Sequence, residues 1–251
     1  MIRIHGRTSR GTAVLATLLA LNACASGEKA GTAAQPVDTA FTKLGETANL
    51  DVPESARYDA DLDVFFISNI RGVPSNKDNN GFIARVDASQ PDSFTVLVRG
   101  GQGGVTLHAP KGMAVQGDTL WVADIDVLRG FNKRTGERVA TISFSPTPRF
   151  LNDVAIGPDG EIYVTDTSIQ ISASGTRYFG QDKLFVVKGR EARVLLEGQA
   201  KLAQPNGVAW DAQGGRLLMA PFGGQSITSI TTVSRMKAIK AVTRSTCRTR
   251  A

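Results

Sequence analysis

Four times along this chain a proline or leucine opens a short alternating strand, a turn rich in Gly or Asp follows, and a second alternating strand returns. The copies are PESARYDADLDVFFISN (53–69), PKGMAVQGDTLWVAD (110–124), LNDVAIGPDGEIYVTD (151–166) and PNGVAWDAQGGRLLMAP (205–221). Period-two alternation around such a turn is the pattern of a β-hairpin. A repeat constrains the fold more than any single motif, because a unit too small to bury its own apolar face must stack against its copies. Aligned in columns, the copies place Glu54, Lys111, Asn152 and Asn206 at one position, spaced by roughly 40 to 60 residues. Short strands at that period predict an all-β chain folded as a β-propeller, one blade per repeat. Equivalent residues of successive blades line a central channel, so this column brings four polar side chains towards one point.

Composition agrees with one large all-β domain, since 251 residues carry 26 glycines and only 6% aromatics. A sequence pI of about 9.5 raises the question of nucleic acid. Its source answers it. Arg3, Arg7 and Arg10 near the start and Arg235, Lys237, Lys240, Arg244, Arg248 and Arg250 near the end stand in segments without any acid. Setting those nine aside from 29 leaves 20 basic residues against 23 acidic ones, a net of −3, so the body lacks a basic footprint for nucleic acid. The two cysteines, Cys24 and Cys247, sit near opposite ends and imply no disulfide framework.

Residues 1–25 combine a basic start with an apolar run from Thr12 to Leu21 that is too short for a membrane span, the pattern of an export signal. Leu21-Asn22-Ala23-Cys24 reads as a bacterial lipoprotein box with an unusual Asn22, which predicts lipidation of Cys24 and a membrane contact through that lipid alone. The competing reading is cleavage after Ala25, leaving the protein free in the periplasm. Residues 26–40 read as a flexible tether, and 41–225 as the propeller. Its polar loops 71–81 and 99–110 are the places for substrate specificity. After Gln225 the sequence holds no Gly, Pro, Asp, Glu or aromatic residue and no further copy of the repeat. Residues 226–251 are therefore expected to be an atypical basic tail, from a truncation or a shifted frame, with the closing part of the ring missing.

Pro53-Glu54 before the first strand, Leu151-Asn152-Asp153 before a Pro-Asp-Gly turn, and Pro205-Asn206-Gly207-Val208-Ala209-Trp210 together resemble the gluconolactonase and regucalcin (senescence marker protein) family over about residues 50–225. That resemblance implies a six-bladed propeller that holds a divalent metal in its channel and hydrolyses lactones or esters. It also implies Glu54, Asn152 and Asn206 as metal ligands. The family's fourth ligand, an aspartate of a later blade that also serves as general base, has no match here. The family's arginine, two residues before the middle asparagine, is displaced to Arg149, three before Asn152.

An Asn at a strand start commonly satisfies turn backbone, but three oxygen donors in one repeat column point to a metal site. Oxygen ligands without His or Cys favour Ca²⁺, with Mg²⁺ or Mn²⁺ as alternatives. Lys111 in the same column would hold a substrate anion or lie on the rim. Asp124, Arg149 and Asp166 are candidates for a place behind the ligands or against substrate, and Asp153 is read as a turn former. His108 stands alone in the body, and without a Gly-x-Ser-x-Gly element or a cysteine there, a serine or cysteine triad is excluded. Trp121 and Trp210 are expected in the core. Two functions are compatible with this pattern: an exported metal-dependent lactone or ester hydrolase, inactive if the base is absent, and a non-catalytic propeller that binds a small molecule or a protein.

Overall fold

A computed structural model describes residue 43 and residues 45–222, 226–232 and 239–246. The expected export signal, the tether and Cys24 lie outside the described residues. Each repeated hairpin forms the first two strands of a four-stranded antiparallel sheet. The first sheet contains β1 (Pro53–Asp59), β2 (Val64–Asn69), β3 (Phe82–Asp87) and β4 (Thr95–Arg99); the second contains β5 (Pro110–Gln116), β6 (Thr119–Asp124), β7 (Val127–Asn132) and β8 (Arg138–Ser143). In the third, β9 (Leu151–Ile156) and β10 (Ile162–Asp166) are followed by an inserted hairpin, β11 (Ile169–Ser172) and β12 (Gly175–Tyr178), before β13 (Lys183–Lys188) and β14 (Glu191–Glu197). One helical turn, α1 (Gln199–Leu202), leads into the fourth sheet, formed by β15 (Pro205–Asp211), β16 (Arg216–Pro221), β17 (Ser226–Thr232) and β18 (Ile239–Thr246). Strand order follows the chain in every sheet, and the first strands β1, β5, β9 and β15 pack side by side in sequence. The architecture is an all-β propeller with four blades among the described residues.

Alternation places successive residues of one strand in two different layers. On β6, Leu120 and Val122 join Phe66, Ile83, Met113 and Phe131 between the first and second blades. Their neighbours Trp121 and Ala123 join Leu128, Val154, Val164 and Phe185 between the second and third. On β10, Ile162 and Val164 face that same layer, while Tyr163 turns into the next one with Leu184, Val208, Leu217 and Met219. Such strands are covered on both faces and read as continuous apolar runs. Each large side chain buried in these layers contributes about 1.5–3 kcal/mol.

The change of composition at Gln225 does not end the fourth sheet. β17 pairs with β16, and β18 with β17, so residues expected as a basic tail supply the outer half of a blade. SITSITT and IKAVTRST lack turn residues and acids but are rich in β-branched Ile, Thr and Val, and it is that property which suits a strand.

Candidate functional site

The register of each first hairpin slips at the polar column. Glu54 is extra between Pro53 and Ser55, and Asn206 between Pro205 and Gly207. Lys111 and Gly112 lie in the slip between Pro110 and Met113, and Asn152 and Asp153 stand opposite Thr165. These are β-bulges, which break the alternation of a strand and re-aim the side chain they carry. All four column residues are thus bulge residues at one height on adjacent inner strands. The bulge of β5 requires glycine at 112, where an added Cβ would stand 2.1 Å from Asp153 Oδ1.

Hydrogen bonds tie the column across blades. Asn152 Nδ2 donates to Thr167 Oγ1 at 3.1 Å, Thr167 Oγ1 donates to the Pro205 carbonyl at 2.7 Å, and Thr165 Oγ1 donates to the Asn206 carbonyl at 2.7 Å. Asn152 is 3% exposed, and its Oδ1 is buried without a hydrogen-bond partner. A buried carbonyl oxygen in that state disfavours the fold unless something donates to it or coordinates it. Glu54 is reached by solvent, yet the protein around it desolvates its carboxylate. That crowding pushes its pKa up to about 7, with Lys111 opposing and Asp153 adding to the rise. Lys111 is 1% exposed, and burial brings its ammonium down to about 8 against the pull of Asp124 and Glu54. Its Nζ donates to the Ala109 carbonyl at 2.9 Å and lies 4.2 Å from the Phe150 ring centre. The channel-rim alternative for Lys111 therefore does not hold; it is an interior residue.

Asp124 and Asp166 end the second strands of their blades, and their oxygens are engaged by backbone. Asp124 accepts the amides of His108 at 3.0 and 3.1 Å and Ala109 at 2.9 Å, and the Arg129 Nε at 2.6 Å. Asp166 accepts the amides of Arg149, Phe150 and Ser168 at 3.0 to 3.3 Å. Asn69 Oδ1 does the same for Asp51 in the first blade, at 2.9 Å. These residues clasp the chain as it enters each inner strand. Asp153 is not a turn former: it lies within β9 and joins two blades, accepting the Val154 amide at 2.8 Å and the Val208 amide of β15 at 2.9 Å. His108 is structural as well, its Nδ1 accepting the Asn79 amide at 3.1 Å. Trp121 is in the core with its Nε1 donating to Gln116 Oε1, whereas Trp210 is only half-buried.

Loops at the same end of the blades form a rim. The amide of Ile171, on the inserted hairpin, donates to Ser75 Oγ of the first blade at 2.8 Å. Beside this bridge is a cleft of about 210 Å³ whose walls include Lys77, Asp126, Arg149, Gln170 and Phe179. Lys77 pairs with Asp126 at 2.5 Å, and the exposed Arg149 lies over the Phe179 ring at 4.0 Å.

The oxygen donors of the column suit a hard divalent cation such as Ca²⁺, and the unpartnered Asn152 oxygen is the feature that fits one best. Among the described residues no group of three or more His, Cys, Asp and Glu is gathered to hold a metal. A cation here would have Glu54 as its anionic ligand, with Asn152 and Asn206 supplying neutral oxygens.

No family model matches the chain, and no curated protein is similar to it in sequence. Solved structures do resemble it. A candidate gluconolactonase determined by X-ray crystallography superimposes with a TM-score of 0.57 at 15% identity, over 79% of this chain and 64% of its own. A luciferin-regenerating enzyme gives 0.55 at 12% identity over 78% and 60%. A nidogen–laminin complex gives 0.53 at 19% identity over 71% and 60%. The chain therefore spans about three fifths of the length of each. At these identities the likeness establishes the propeller fold. Fold and site define an all-β propeller whose adjacent inner strands carry polar residues on aligned bulges.

Proposed function

We propose that this chain is a metal-dependent propeller hydrolase of lactones or related esters, exported and anchored through a lipid on Cys24. One observation carries the reading of the site: four polar residues of one repeat column all lie on bulges of adjacent inner strands, and the buried Asn152 among them has an oxygen without a partner. Glu54, Asn152 and Asn206 would hold the cation, preferably Ca²⁺, which when bound supplies a Lewis acid for a carbonyl and lowers the pKa of water. Arg149 and Lys77, which line the rim cleft together with Phe179, would bind a polar group of the substrate there. Thr167 and Thr165 fix the two asparagine-bearing strands to each other.

A second reading, a propeller that binds without catalysis, draws support from Asp124 and Asp166. Their oxygens hold backbone amides, so neither carboxylate of the column's surroundings is free to act as the missing base. Lactone hydrolysis measured with Ca²⁺ or Mn²⁺, after removal of metal with a chelator, separates the two. Metal-dependent turnover lost in Asn152→Ala supports the hydrolase; no turnover at any metal concentration supports the binding protein.

A further inference from the structure

Three column residues carry side-chain oxygens, and the fourth, Lys111, carries a cation. Its side chain is enclosed by the blades, held at Nζ by the Ala109 carbonyl and lying against the Phe150 ring. The bulge that aims it is fixed from behind, because Gly112 lies against Asp153 with no room for a Cβ. An ammonium enclosed in protein needs a nearby anion. Glu54 stands on the matching bulge of the adjacent inner strand β1, and Asp124 ends β6 beside the bulge of β5. Asp124 is already bound to Arg129 and to two backbone amides, whereas Glu54 is the anionic group of the column.

Resting on the metal reading given above, we propose that Lys111 is a cation built into the ring, sharing Glu54 with any divalent ion and setting how weakly that ion is held. A divalent ion liganded by Glu54 meets the fixed charge of Lys111 in the same low-dielectric setting, where repulsion between like charges is strong. Removing the ammonium leaves Glu54 entirely to the metal. Asn152 and Asn206, being neutral, offer nothing to offset Lys111, so its effect falls on affinity for the ion and not on the geometry of the oxygens.

The test is calorimetric titration of the purified protein with CaCl₂ and MnCl₂ at one fixed pH and ionic strength, comparing the parent with Lys111→Met, Lys111→Gln and Lys111→Arg. Circular dichroism melts verify that each variant is folded, and the Gln variant serves if the Met variant is not. Binding that tightens at least about tenfold in Met and Gln but stays weak in Arg supports the proposal. Equal affinities in parent and variants overturn it while leaving the metal site intact, and so does weaker binding in Met and Gln. No detectable binding to any of the four proteins overturns both the metal reading and the role of Lys111.

Discussion

Glu54 and Lys111 are the two residues of the column at which electrostatics works against the fold. Lys111 has its pKa lowered from 10.5 to about 8 by burial, so folding disfavours the ammonium relative to the unfolded chain although it still predominates at pH 7. Its contribution to stability is present above the unfolded value near 10.5 and is lost as pH falls through about 8, which leaves the full penalty at neutral pH. Lys111→Met should therefore stabilise the metal-free protein at pH 7 by about 1–3 kcal/mol, read from urea unfolding. Glu54 moves the other way, its carboxyl raised from 4.5 to about 7 by crowding. Its contribution is present below 4.5 and lost as pH rises through about 7. Glu54→Gln should consequently stabilise the metal-free fold at pH 8 and leave it nearly unchanged at pH 4.5, and a gain of equal size at both pH values would show that the carboxyl is not crowded. A site that weakens its own scaffold in this way is the usual mark of residues kept for binding.

At the scale of elements, the inner hairpins were legible in the sequence because alternation and turn chemistry agree in all four copies. The third strands of the second and third blades, β7 and β13, hold short apolar runs closed by a turn and are legible as well. The inserted hairpin β11–β12 is not, since IQIS alternates over only four residues and GTRY, wholly exposed, carries no apolar pattern. β17 and β18 carry no Gly, acid or turn residue, and only their β-branched content marks them as strands. The polar column could be aligned from the repeat, but its bulges could not, because a bulge is a property of pairing and leaves no mark on one strand. The clasp was hidden too: an aspartate at a strand end looks the same whether it closes a turn or holds two amides of an incoming segment. Being 0% exposed with amide and guanidinium partners, Asp124 should be far harder to replace than the exposed Asp118, which lies at the other end of β6. Asp124→Ala should lose about 3 kcal/mol or more in denaturant unfolding, against less than about 0.5 kcal/mol for Asp118→Ala. Asp153→Asn, which would look harmless for a turn residue, should also destabilise, since the amide nitrogen cannot accept the bond that Asp153 receives from β15.

Across the whole molecule, apolar layers join blade to blade, and polar links reinforce them. Lys133, in the turn after β7, reaches Asp59 of the first blade at 2.8 Å with both side chains buried. Lys133 also pairs with the exposed Asp61, so Lys133→Ala should cost about 1–3 kcal/mol in denaturant unfolding. The bulges of β1, β5, β9 and β15 recur at the same point of each hairpin, so a column in the sequence becomes a row of positions on adjacent inner strands. The claim that the ring is a cation site is tested most directly by titrating Ca²⁺ into the purified protein and into Glu54→Gln and Asn152→Ala. With one anionic ligand and Lys111 nearby, the parent should bind a single ion weakly, with a Kd on the order of 10⁻⁴ to 10⁻³ M, and both variants should lose that binding. Tight binding by the parent, or an isotherm that Glu54→Gln leaves unchanged, would contradict it.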